Sequence, residues 1–250
     1  MNRHVLAPIG TALDRVADER SEVEAERDAF AAFATRVDAC PVRSDPSVTA
    51  SDPVPSVRTG SPGAVADADP TERLRRAYRE TVMAVDHYDA VYGEPLPVNV
   101  AAEFGADVAT ALCEDVPFTP ALKHTLFDAA TTARAEREQF DEILRRERQS
   151  LSDAETALDD VVTAIRRRSD PPTDHSADAT PLPELERRCE RVGTERQRVV
   201  QRQRRFSREG DALYEYLYGD QSWTYPVLSA VATLGEDLSA MRDGAPGDTR

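Results

Sequence analysis

The chain is poor in the residues that carry most enzyme chemistry and in the patterns that build sheets. It holds 4 histidines and 3 cysteines in 250 residues. Cys40, Cys113 and Cys189 are widely spaced, odd in number and without a Cys-x-x-Cys pair, which argues against a disulfide framework and against a zinc site. A reducing cytoplasm suits that usage. None of His4, His87, His124 or His175 follows a Glu by three residues, so the Glu-x-x-His pairs of di-metal bundles are missing. No metal and no cofactor is expected. The 11 glycines are scattered, and Gly60-Ser61-Pro62-Gly63 is neither a phosphate loop nor a dinucleotide fingerprint. There is no Gly-x-Ser-x-Gly elbow. Nothing in the sequence supports an enzyme.

Long apolar runs and alternating strands are missing too. The stretch 227–234 contains Ser229 and Thr233 and falls short of the roughly 20 apolar residues of a membrane span. The first residues lack the apolar stretch of a signal peptide. A soluble, cytoplasmic protein that avoids membranes is expected. No period-2 run bounded by turns stands out.

Lysine is the scarcest base. Of 31 basic residues one is lysine, Lys123, and the remaining 30 are arginine, against 46 acids and a net charge of −15. Such a surface suits a salt-accumulating halophile, where acidic groups hold hydration and solubility. At molar salt the Debye length is about 3 Å, which screens the self-repulsion.

What the chain does have is helical periodicity. Leu182, Leu185, Cys189, Val192, Arg196, Val199, Gln203, Phe206, Gly210, Leu213 and Leu217 follow steps of three and four. So do Leu6, Ile9, Leu13, Val16, Arg20, Val23, Arg27, Phe30, Ala34 and Val37. That spacing lays one narrow stripe along a helix, as in a coiled coil or long bundle. The fold expected is all-α: an elongated helical bundle with a long antiparallel coiled-coil hairpin.

The stripes and breakers divide the chain. A first helix fills 8–39 within an N-terminal region 1–40, and Cys40-Pro41 ends it. Residues 41–68, rich in Pro, Ser, Gly and Asp, read as a disordered linker. The remaining bundle covers 69–242. Asp69-Pro70-Thr71-Glu72 predicts a capped helix start, running to about Tyr92. A short helix over 99–113 carries Gly105 within it. Thr119-Pro120 opens the longest segment, 120–168, with Phe140, Leu144, Glu147, Leu151, Leu158 and Ile165 on its stripe. An internal linker, 169–182, precedes a helix over 183–218 that folds back on it, and a last helix spans 225–241. The tail 243–250 is polar and expected to be flexible.

Two clusters invite a functional reading. Arg196, Arg198, Arg202, Arg204, Arg205 and Arg208 crowd one helical segment, 196–208. Phosphate contact on nucleic acid is one explanation; pairing with acidic neighbours in a bundle is the other. Tyr214, Tyr216, Tyr218, Trp223 and Tyr225 form an aromatic knot. These rings either plug the end of the bundle or face a partner. Tyr214 and Tyr218 share a helix face, whereas Tyr216 points elsewhere, so part of the knot should remain outside the core. The function expected is a non-enzymatic helical scaffold that binds a protein, itself or another. The alternative is a nucleic-acid-associated regulator using the arginine segment.

The motifs TVMAVDHYDAVY at 81–92, the 122–126 step, Glu147 followed by Leu151, CERVGTERQ at 189–197, Tyr216-Leu217-Tyr218 and Tyr225-Pro226-Val227-Leu228 together have a family likeness. On them the chain resembles an uncharacterised family of haloarchaeal all-helical proteins, over most of 5–241. The resemblance implies a source and an all-helical class, and it supplies no catalytic residues.

Overall fold

The structure, a computed structural model, describes residues 4–42, 69–114, 116–169, 180–206 and 210–244. Among these residues every regular element is helical. In chain order they are α1 (Ala7–Ala39), α2 (Pro70–Thr81), α3 (Tyr88–Val91), α4 (Leu96–Phe104), α5 (Ala106–Cys113), α6 (Pro120–Ser169), α7 (Leu182–Phe206), α8 (Gly210–Tyr218) and α9 (Pro226–Gly244). The expected linkers at 41–68 and 169–182 and the tail lie largely outside the described residues.

The 50 residues of α6 form one unbroken helix, about 75 Å long at 1.5 Å per residue. No proline or glycine interrupts it after Pro120. Thr119 caps its start, its Oγ1 accepting the Leu122 N–H at 3.2 Å. Arg166, Arg167 and Arg168 occupy its last turn, where the macrodipole favours cations. The Arg168 guanidinium donates to the Thr180 carbonyl at 3.1 Å. Further along, Arg196 meets Glu147. Chain numbers thus fall on α6 as they rise on α7, so the two helices run antiparallel.

Three sequence-based helices, over 70–92, 99–113 and 183–218, need correcting. The helix expected over 70–92 stops at Thr81 and continues as a 3-10 turn over Val82–Ala84. The Thr81 hydroxyl donates back to the Ala77 carbonyl at 2.8 Å. Val85 is extended, with φ −67° and ψ 142°, and the β-branched residues around it favour helix weakly. Asp69 sits at the N-cap of α2, but its side chain makes no capping hydrogen bond. The helix expected over 183–218 is likewise two elements. Tyr214 donates to Gln203, although 11 residues of straight helix would hold their backbones about 16 Å apart. α8 therefore lies back against α7. Gly105, at φ 91°, separates α4 from α5 in a backbone region open to glycine.

The chain forms two compact units, 21–141 and the combination of 1–20 with 142–250. In the first, Phe30, Phe33 and Val37 of α1 pack with Leu74 and Tyr78 of α2, Val100 of α4, Leu112 of α5, and Leu122 and Leu126 of α6. Phe33 meets Tyr78 edge-on at 5.0 Å and stacks with Phe104 at 6.0 Å. Lys123 of α6 donates to the Cys40 carbonyl at 3.1 Å and to the Asp38 carbonyl. The only lysine thus satisfies carbonyls at the end of α1.

In the second unit, Leu144, Leu151, Leu158, Val161 and Ile165 of α6 are buried, with Leu185 and Cys189 of α7 and Val227, Leu234 and Leu238 of α9. α7 and α9 approach closely. A Cβ on Gly193 would stand 3.2 Å from Val231 Cγ1, and the Cys189 thiol reaches the Val231 carbonyl at 3.6 Å. Arg242 meets Glu186 at 3.0 Å, so α9 runs antiparallel to α7. Burial pushes the Cys189 thiol up to about 11, which makes it a packing residue and a poor nucleophile.

Candidate functional site

The aromatic knot divides by burial. Tyr214 and Tyr218 of α8 are fully buried. Trp223 and Tyr225 are half-buried in the connection to α9. The Trp223 ring lies 5.6 Å from Tyr218, and the Tyr225 ring 5.5 Å from Tyr214. Tyr216 is 62% exposed. Its hydroxyl donates to Glu19 Oε1 at 2.9 Å, and Glu215 beside it is also exposed. Helical geometry produces this division: residues two apart face different sides, while 214 and 218 share one. Arg15 of α1 holds the end of α8, donating to the Leu217 carbonyl at 3.1 Å and to Asp220 at 2.5 Å.

Beneath the knot lies a buried charge pair. Glu147 is 0% and Arg196 2% exposed. Arg196 donates through both terminal nitrogens, at 2.5 Å to Glu147 Oε1 and 3.1 Å to Oε2, a bidentate fork. It also reaches Ser150 Oγ at 2.9 Å. Tyr218 donates to Glu147 Oε1 at 3.1 Å, and the guanidinium sits 5.6 Å over the Tyr214 ring. Arg196 Nε has no hydrogen-bond partner. Burial works against the charge on Arg196, but the charge and hydrogen bond of Glu147 outweigh it and raise its pKa. Burial, reinforced by the Glu147 charge, pushes the Tyr218 phenol well above the ordinary range. Four of the residues singled out in the sequence therefore meet: Arg196, Tyr214, Tyr218 and the stripe residue Glu147.

Arg198 and Arg202 stand apart from them. Arg198 is exposed and 3.9 Å from Glu195. Arg202 is exposed. Arg204 and Arg205 belong to α7, but their side chains are outside the described residues, as is all of Arg208. Arg196, sealed from solvent, presents no guanidinium to a phosphate.

A second cluster, in the unit 21–141, escaped the sequence reading. Glu26 of α1 faces inward, and its Oε1 accepts from Tyr92 at 2.7 Å and lies 3.0 Å from His87 Nε2. Its Oε2 accepts from Arg137 of α6 at 2.9 Å. Arg137 donates onward to Glu103 of α4 at 2.7 Å and sits 4.9 Å over the Phe30 ring. Burial alone would raise the Glu26 pKa, but hydrogen bonds from His87, Tyr92 and Arg137 outweigh it and hold the carboxyl below the usual range. Burial pushes the Tyr92 phenol up, as does its bond to Glu26. Spacing back from Phe30 by four and then three gives 26 and 23, a signal that could have placed Glu26 on the stripe.

Among the described residues no group of three or more His, Cys, Asp and Glu side chains is placed to hold a metal ion. Nor is any helix among them long and apolar enough to cross a membrane.

Fold and site define an all-α bundle protein that holds, among the described residues, two hydrogen-bonded charge clusters, Glu147 with Arg196 and Glu26 with Arg137 and Glu103. The chain belongs to the family described as domain of unknown function DUF7260, which matches residues 7–242. No curated protein and no solved structure matches it.

Proposed function

We propose that this chain is a non-enzymatic helical scaffold that binds a protein partner through the outer face of α8. The exposure of Tyr216 carries this reading. A short helix anchored by two buried tyrosines and gripped by Arg15 turns one large aromatic ring outward. Tyrosine in such a place offers wide contact area at low entropic cost. The setting we infer is the cytoplasm of a haloarchaeon with high internal salt, supported by the single lysine and the charge of −15.

A photo-crosslinking phenylalanine analogue at position 216, compared with the same analogue at exposed Phe127, tests the reading in cells. A discrete protein adduct from 216 alone is expected. Adducts from neither site, or equally from both, would overturn it. Tyr216→Ala should abolish partner capture with little change in melting temperature, whereas Trp223→Ala should lower that temperature by removing a ring packed on Tyr218. Should Tyr216→Ala itself unfold the chain, the ring belongs to folding and the proposal fails. The nucleic-acid alternative retains Arg198 and Arg202 as described exposed groups. It requires duplex DNA binding that persists at molar potassium chloride and weakens when both become Gln.

A further inference from the structure

We propose that residues 85–93 form a latch over the unit 21–141, closed by the ionised carboxylate of Glu26 and released by acid while the rest of that unit stays folded. The segment is short of regular structure: a 3-10 turn precedes it, α3 is 4 residues long, and Gly93 ends it at φ 57°. Its internal backbone bonds are local, Ala90 and Val91 donating to the His87 carbonyl, Tyr92 and Gly93 to that of Tyr88. Isolated turns of this length are not stable on their own. Yet Tyr88 is only 4% exposed, so the segment is held down. Among the described residues, its two side-chain hydrogen bonds to other elements, from His87 and Tyr92, both end on Glu26.

The chemistry of that carboxylate makes the closure conditional. Glu26 faces donors on every side: His87 and Tyr92 from the latch, and Arg137 from α6, which is shared with Glu103 of α4. On its own helix Glu22 and Glu24 lie within about one turn, and on α6 Asp141 follows Arg137 by one turn. An ionised carboxylate accepts only, and here both oxygens are engaged. Protonation turns one oxygen into a donor facing Arg137 or the latch. The sign follows: a carboxyl held below its ordinary range contributes stability above the unfolded pKa and loses it as pH falls through the lowered value. Glu103 keeps Arg137 paired after Glu26 is protonated, so the loss falls on the latch. Opening uncovers the Tyr88 ring beside the already exposed Val91.

Hydrogen exchange on the full chain, followed by mass spectrometry and corrected for the intrinsic pH dependence, tests this. In the native chain the amides of 90–93 should exchange about tenfold faster or more on acidification, the scale of one charge-assisted hydrogen bond. The α2 amides should stay protected. Glu26→Gln, whose amide oxygen can keep accepting from Arg137 only by turning its NH2 on the Tyr92 donor, should show the fast exchange already at neutral pH and lose the acid dependence. Tyr92→Phe should fall between. Retention of full neutral-pH protection in Glu26→Gln would overturn the proposal. So would simultaneous loss of protection at α2 and 90–93 in acid. If Glu26→Gln does not fold, Tyr92→Phe and the native acid series decide.

Discussion

Consider removing one partner of the Glu147–Arg196 pair. Both side chains are at most 2% exposed, so the survivor keeps a charge it cannot hydrate. Breaking such a pair costs about 3–5 kcal/mol, a large share of the roughly 5–15 kcal/mol that holds a domain folded. Arg196→Met and Glu147→Gln should each fall in or just below that range. The combination Glu147→Leu with Arg196→Met removes both charges, but it strands the Tyr218 hydroxyl at about 1–3 kcal/mol. Adding Tyr218→Phe should recover most of the native stability, since well-packed apolar replacements of buried ion pairs are often neutral or better. Urea titration in molar potassium chloride measures all four.

Stability is only half of the reasoning. In the unit holding 142–250, Glu147 is the only buried charge described on α6 and Arg196 the only one on α7. A slip of one heptad, about 10 Å, would set Glu147 opposite Gln203 or Cys189 and Arg196 opposite Ala154 or Phe140, so that neither charge meets its partner. The pair therefore sets the register of the hairpin. Spin labels at exposed Gln149 and Arg198 should give a narrow distance distribution in the native chain and a broader one in the stable triple variant. A single-site loss below about 1 kcal/mol would refute the energetic argument. An unchanged narrow distribution in the triple variant would refute the register argument.

Two further outcomes follow from close contacts. Gly193→Ala gains up to about 1 kcal/mol of helix propensity against crowding on Val231 at 3.2 Å, so its melting temperature should stay near native, whereas Gly193→Leu should lose about 1–3 kcal/mol by overpacking. Lys123→Met leaves the Asp38 and Cys40 carbonyls without their cation, and should cost about 1 kcal/mol by urea titration.

The helices were legible where a local signal marks them. Pro120 followed by 49 residues without a breaker predicts α6, and Cys40-Pro41 marks the end of α1. The interruption after Thr81 was not legible, because no glycine or proline announces it. Nor could a local pattern show what holds the residues beyond it: Glu26 meets His87, 61 residues away in sequence, and Tyr92, 66 away. The pair Glu147–Arg196 lay halfway between. Each residue was visible on its own stripe, and two opposite charges on stripes expected to face one another are a pairing signal. Burial divides the aromatic knot ring by ring, along the line that helical spacing drew between 214 and 218 on one side and 216 on the other. Tyr214 and Tyr218 went inside and Tyr216 stayed out.

The solitary lysine has an experimental consequence. A protease specific for lysine has one bond to cut within these 250 residues, that between Lys123 and His124. It would divide the chain near its midpoint into 1–123 and 124–250. That bond lies inside a helix, and the side chain the protease must grip is occupied with the carbonyls at the end of α1. Cleavage must wait for that helix to open locally. The rate at which the full-length band gives way to half-length fragments on a gel would therefore clock the opening of a single place in the molecule, without labels or mutations.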